Sequence, residues 1–274
     1  MQNFTLELQF EINGIGSASG IVYKDNLVFI ISDNSSFLYQ YNLEEKKLTK
    51  IKLFENGQEN IPKKDKYDFE SICLKGNKLY ILGSGSTSKR EKRISYDLET
   101  KEIKEKDITK LYQKLKSSAS ISDDDLNIEG SLFYNEKWYL FQRGNGANSK
   151  NGIFSIANFS KKEDTEPSFQ SLQLPKIKHI ETSFTDAIMV DDKIYFLATA
   201  EDTTSTYDDG EILGSLLGRI DIQSMQIDFT LIISETHKFE GLTLYNKSKE
   251  KIEFLLCEDN DTEELQSSIY KLTL

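Results

Sequence analysis

Three glutamates each open a short apolar run of the same form: Glu70-Ser71-Ile72-Cys73-Leu74, Glu129-Gly130-Ser131-Leu132-Phe133 and Glu240-Gly241-Leu242-Thr243-Leu244. Two more runs fit that frame, Ser19-Gly20-Ile21-Val22-Tyr23 and Thr185-Asp186-Ala187-Ile188-Met189. An acid therefore stands at or beside the head of four of the five. Carboxylates at equivalent positions of a repeat are forced together if the repeats close around an axis. At ~5 Å and an effective dielectric near ~20, each like-charge pair costs roughly 3 kcal/mol. A marginally stable domain must offset several such pairs.

Several offsets are open. Oxygen ligands without thiolate or imidazole suit a hard cation, Ca²⁺ ahead of Mg²⁺ because its shell is larger and more flexible. On that reading Glu70, Glu129 and Glu240 hold the ion and Asp186 assists. A carboxyl can instead keep its proton, because clustering raises the pKa of one member. Arg143, expected on the same face, is a third source of compensation. Alternatively the glutamates are architectural and only accept hydrogen bonds from neighbouring amides.

A second polar ring follows the next strand of each repeat: Asp33, Ser84, Arg143, Thr199 and Glu258, with Glu201 and Asp202 close behind Thr199. From this ring Arg143, Asp33, Glu201, Asp202 and Glu258 are expected to contact a small polar ligand, with Arg143 facing its anionic part. Other motifs are weaker. His179 and His237 each stand alone before an apolar run, and the basic stretch Lys89-Arg90-Glu91-Lys92-Arg93 reads as a solvated loop. Gly144-Asn145-Gly146-Ala147-Asn148 has no following lysine, so it is not a phosphate loop. Asp208-Asp209-Gly210-Glu211 lacks calcium-loop spacing. No Gly-x-Ser-x-Gly elbow and no zinc-type His/Cys cluster is present.

The elements that position these residues follow from the repeat. The five runs begin at Ser19, Glu70, Glu129, Thr185 and Glu240, roughly 55 residues apart, a period that marks repeat architectures. Behind each, after a short polar turn, comes an apolar run such as Leu27 to Ser32 or Trp138 to Gln142. An alternating run follows, such as Phe37 to Leu43, and then in four copies a more polar one, such as Lys47 to Leu53. Four strands grading from apolar to wet make one propeller blade. The fifth copy stops after its third strand, and Thr5-Leu6-Glu7-Leu8-Gln9-Phe10 can supply the fourth. The expected fold is all-β: one domain over residues 1–274, a five-bladed β-propeller of four-stranded antiparallel blades, closed by pairing the N-terminal strand into the C-terminal blade. Ile108 to Lys116 has helical spacing and predicts a short helix before blade three, and Glu201 to Glu211 reads as an acidic insertion in blade four.

Composition narrows the function classes. The chain has 274 residues, 38% of them apolar and 29% charged, with a formal net charge of −11. An acidic surface repels phosphate backbones and anionic lipid, which argues against nucleic-acid and membrane-surface roles. The first residues show no basic and apolar leader pattern, and no run is long enough for a membrane span, so the expectation is a soluble, cytoplasmic protein. Cys73 and Cys257 each lie inside an apolar run and read as small buried hydrophobes rather than a disulfide scaffold.

The phrases Ala18-Ser19-Gly20-Ile21-Val22-Tyr23, Phe69-Glu70-Ser71-Ile72, Asn127-Ile128-Glu129-Gly130 and Phe239-Glu240-Gly241-Leu242 resemble inner-strand heads of known bacterial propellers. These are the SdiA-regulated type and the domain described as the esterase-like activity of phytase, with an uncharacterised Bacteroidetes propeller family closer still. The resemblance covers essentially the whole chain. It implies a propeller, in some cases with a central metal, and on matching positions it points to Glu70, Glu129 and Glu240. Thr185-Asp186-Ala187 departs from the Glu-Gly pattern, so either Asp186 acts as a ligand or that quadrant makes a different contact. The functional expectation is a soluble propeller binding a divalent cation (Ca²⁺) at the channel mouth and a small polar ligand beside it. The alternatives are a metal-dependent hydrolase of an ester, lactone or phosphoester, and a protein-interaction scaffold.

Overall fold

Apolar side chains on both faces of the first two strands of each repeat need cover on both sides, and a ring of sheets provides it. The structure is a computed structural model that describes residues 3–146, 148, 150–157, 165–203, 210–259 and 264–274. Five four-stranded antiparallel sheets form a closed five-bladed β-propeller. The inner strands, in chain order, are Ala18–Lys24, Phe69–Lys75, Ile128–Tyr134, Ser183–Val190 and Phe239–Lys247. Each packs against the next, and the last packs against the first.

The expected grading holds. The inner strands begin with five buried residues each, whereas the outer strand Lys47–Lys52 is exposed at four of its six positions. The hydrophobic clusters are sandwiched between adjacent blades. One gathers Phe29, Leu38, Phe69 and Ile81 from blades one and two, and another gathers Phe141, Phe184, Phe196 and Leu216 from blades three and four. Burial at roughly 25 cal/mol per Å² of apolar surface is therefore earned at blade-to-blade interfaces, so no blade is stable without its neighbours.

The ring closes as the sequence implies. Thr5–Asn13 pairs antiparallel with Gln266–Thr273, from Thr5 opposite Thr273 to Asn13 opposite Gln266. Its Ile12 is 1% exposed, packed with Ile15, Ala18 and Ile269. The predicted helix forms over Thr109–Ala119, three residues longer at its C-terminal end than the spacing indicated. Its buried face places Tyr112 and Leu115 against Leu126 and Trp138, and the Tyr112 hydroxyl donates to the Gly83 carbonyl at 2.6 Å. Gly85 lies at φ +81°, and a Cβ there would come within 2.5 Å of the Tyr112 ring. A two-stranded hairpin, Lys176–Ile177 with Ile180–Glu181, was not anticipated; its strands are too short to show a period. The acidic insertion is bracketed by the long strands Lys193–Asp202 and Glu211–Asp221, and its residues 204–209 lie outside the described residues. Both cysteines are free and buried. Among the described residues no helix is long and apolar enough to cross a membrane.

One irregularity recurs in all five blades. The ladder between first and second strands skips one residue of the inner strand, and the skipped residues are Ser19, Glu70, Glu129, Thr185 and Glu240. Such a bulge leaves its extra residue unpaired and re-aims its side chain.

Because closure rests on the N-terminal strand, Ile12→Ala should lower unfolding free energy by about 3 kcal/mol, within the range for large-to-small core changes. Urea denaturation compared with the exposed control Leu8→Ala measures it, since Leu8 is 53% exposed on the same strand.

Candidate functional site

The bulges fix where the chemistry is. They bring the ring residues to one mouth of the central channel, and Glu70, Glu129 and Glu240 are each at most 9% exposed there. The residue after each bulge lies where neighbouring inner strands nearly touch. At Gly130 a Cβ would sit 3.0 Å from the Ala187 amide nitrogen, and at Gly241 2.9 Å from that of Ile21. Blade four has Asp186 at this position. Its carboxylate accepts from the Leu242 amide at 2.7 Å and from the Ala187 amide at 2.7 Å, bridging blade four to blade five. The Ser19 and Thr185 hydroxyls likewise cross to the next blade, donating to the carbonyls of Phe69 (2.5 Å) and Phe239 (2.8 Å).

The four acids proposed from sequence as one ligand set occupy three different environments. Glu129 and Glu240 share Arg143, whose Nη1 is 3.3 Å from Glu129 Oε1 and 3.5 Å from Glu240 Oε1. Nη2 of the same guanidinium donates to Glu201, and Nε to Ser183 at 3.3 Å. Glu240 also meets Lys238 at 3.1 Å, and Lys238 meets Asp259 at 3.0 Å. Asn127 adds a hydrogen bond to Glu129 at 2.7 Å. Asp186 is held by the two amides. Glu70 is the exception: it has no hydrogen-bond or ion-pair partner among the described residues, although it is 9% exposed.

Glu70 lies instead with two other acids. One carboxylate oxygen each from Asp33, Asp68 and Glu70 lies within 4.8 Å of the others. Asp68 accepts from Ser84 Oγ at 2.5 Å and Arg90 Nη1 at 2.7 Å, and its second oxygen is 2.9 Å from Lys66 Nζ. Lys66 also donates to Asp33 Oδ2, while Asp33 Oδ1 is buried without a partner among the described residues. Burial alone would raise the Asp68 carboxyl, but Lys66 and Arg90 hold it below its usual range. Burial, then the charges of Glu129 and Asp68, push Glu70 well above its usual range. Glu240 is also raised by burial, only partly opposed by Lys238. Asp186 is raised by burial despite its two amide donors.

The remaining expected residues are less central. Asp33 belongs to the three-acid cluster. Arg143 and Glu201 are closed on each other, and Glu201 also accepts from the Gly210 amide at 2.8 Å. Asp202 is exposed at a strand end. Glu258 pairs with His237 Nδ1 at 2.5 Å. His179 is exposed. Arg90, read as part of a solvated basic run, is buried and turned inward onto Asp68, because that carboxylate needs a counter-charge. Asp208, Asp209, Ala147 and Asn260 lie outside the described residues. Sequence reading missed Asp68, Lys66 and Lys238. Asp68 and Lys238 stand two residues before a ring glutamate, so extending the repeat alignment by two positions finds them. The opposite mouth has different chemistry: a cavity of about 360 Å³ lined by Val22, Cys73, Leu132, Ile188 and Thr243, each three residues beyond its blade's bulge.

Fold and mouth together define a five-bladed β-propeller with a buried, predominantly acidic channel entrance. The family described as "Family of unknown function (DUF6929)" matches residues 14–274, and the chain belongs to it. The strand-head resemblance stands as far as the β-propeller fold, and the family shown is this one. No curated protein matches the chain. Among solved structures, the crystal structure of Myxococcus xanthus glutaminyl cyclase superposes with a TM-score of 0.57 at 10% identity, covering 97% of this chain and 96% of that one. A luciferin-regenerating enzyme superposes with a TM-score of 0.52 at 10% identity, covering 98% of this chain and 95% of that one. At this identity the likeness establishes the fold alone.

The raised Glu70 carboxyl has a consequence for stability. A folded-state pKa above the ordinary value near 4.5 contributes stability fully present below that pH and lost as pH rises through the raised value. In chelator, the melting temperature of the wild type should fall between about pH 5 and pH 8. That of Glu70→Gln should fall less and lie a few degrees higher at pH 8, the shift expected for about 1–2 kcal/mol in a chain of this size. Parallel pH profiles of the two proteins would contradict the assignment.

Proposed function

We propose that the chain is a binding protein whose polar channel mouth takes up a divalent cation, Ca²⁺ ahead of Mg²⁺, between Asp33, Asp68 and Glu70. The ion in turn presents itself to a small polar ligand at the centre of the mouth. The observation that carries this reading is Glu70: a carboxylate 9% exposed, without a partner among the described residues, and with two more acids at ligand distance. Burying an unpaired charge is expensive enough that a group protonates or finds a counter-ion. The unpartnered Asp33 Oδ1 in the same cluster supports the same conclusion. Oxygen-only donors with one oxygen from each carboxylate leave room for water or ligand atoms in the six to eight positions that Ca²⁺ takes.

Glu129, Glu240 and Asp186 enter this reading differently from Glu70. Arg143 and Lys238 neutralise the first two, and two amides hold the third. They shape the wall of the mouth and set its charge. Hydrolysis of an ester, lactone or phosphoester would need a general base beside the ion. The nearby carboxylates Glu129, Glu201 and Glu240 are already engaged by Arg143 and Lys238, so binding is preferred over catalysis.

Calorimetric titration of chelator-stripped protein with CaCl₂ tests the proposal. One site per chain is expected, with weaker binding of MgCl₂ and a rise in melting temperature. At a hundredfold excess over Kd the stabilisation amounts to about 2.7 kcal/mol. Glu70→Gln should weaken Ca²⁺ binding at least tenfold. Absence of both binding heat and thermal shift in the wild type ends the proposal.

A further inference from the structure

Lys66 lies in the segment between the outer strand of blade one and the inner strand of blade two, and its side chain enters the three-acid cluster. Its ammonium donates to Asp33 Oδ2 and stands 2.9 Å from Asp68 Oδ1. Its side chain is 12% exposed, which is unusual for lysine. Burial disfavours its charge, but Asp68, Asp33 and Glu70 together keep it protonated. The chain thus places a cation of its own between two of the three candidate ligands.

We propose that Lys66 is the specificity-determining residue of this site, a tethered ammonium that a divalent ion displaces and a monovalent ion does not. The inference rests on the cation-binding reading above. With Glu70 ionised, the form that a cation binds, the cluster sets three carboxylates against two cations, Lys66 and Arg90, and carries one net negative charge. Replacing the ammonium by Na⁺ or K⁺ leaves that charge unchanged and loses an intramolecular partner whose effective concentration is high. Replacing it by a divalent ion neutralises the cluster and also engages Glu70. Released from the acids, the Lys66 side chain extends into solvent with its four-carbon stem, where an ammonium is strongly hydrated.

Two measurements test this, one with a variant and one without. Stripped wild type and Lys66→Met are titrated with CaCl₂ in NaCl and in choline chloride at equal ionic strength. In choline the variant should bind Ca²⁺ about tenfold or more tightly than the wild type. NaCl should remove much of that gain in the variant and leave the wild type unaffected. Equal Ca²⁺ affinity in variant and wild type, or equal competition by Na⁺ in both, overturns the role of Lys66 while leaving the cation site standing. A wild type that binds no Ca²⁺ removes the site and this inference together. The second measurement uses wild type alone: acetylation of Lys66 by an amine-reactive reagent, read by peptide mass spectrometry, should accelerate when CaCl₂ is added. An unchanged rate in protein that binds Ca²⁺ rejects displacement, even if the variant fails to fold.

Discussion

A single backbone defect, the bulge repeated in every inner strand, determines the chemistry of the channel. It turns one side chain per blade toward the axis, and in three blades that side chain is a glutamate. The walls are closely packed β-sheet, so like charges meet where water screens them poorly. The rest of the mouth consists of answers to that crowding. Blades three to five use Arg143 and Lys238, blade four adds amides for Asp186, and blades one and two use Lys66 and Arg90. Among the described residues these answers leave Glu70 and Asp33 Oδ1 without a partner, which is why the proposed cation is placed between them.

The two ends of the channel differ for a reason local to each strand. Beyond the bulge the pleat resumes and side chains again alternate between channel and blade interior. Three residues on, the axis-facing positions are mostly apolar. The buried carboxylates are thus gathered at one entrance, and the site draws its ligands from strand ends and the turns next to them. Positions on strands are held by the inter-blade cores. Lys66 and Arg90 sit on connecting segments, where loops normally carry mobile function.

Much of the fold was legible because it is periodic. Five runs at a steady interval imply blades, and a fifth copy lacking its outer strand implies that Thr5–Asn13 fills the gap. The ring positions were legible for the same reason. The ambiguity between Thr185 and Asp186 was physical: a bulge breaks the alternation of side chains, and the Thr185 hydroxyl and the Asp186 carboxylate both cross to blade five. What could not be read was the pairing. Lys66 and Arg90 come from stretches with no fixed register to the repeat, and both look like surface residues when neighbouring lysines and arginines are considered alone. Asp68 falls in register two residues before Glu70, but the other blades carry Ser17, Asn127, Ser183 and Lys238 there, so the repeat locates the position without marking it as acidic.

The closing strand also bears on how the molecule is made. Thr5 and its partner Thr273 are far apart in sequence, so the Thr5–Asn13 segment is synthesised long before its partner and finds its place only when blade five has emerged. Until then the final sheet has an open edge and the Thr5–Asn13 segment has nothing to pair with, a template for joining a second nascent copy. Contacts of such long sequence separation also slow the final folding step. Glu11 on the early segment and Lys271 on the late one place charge on these two edges, a feature that discourages wrong partners while the chain waits.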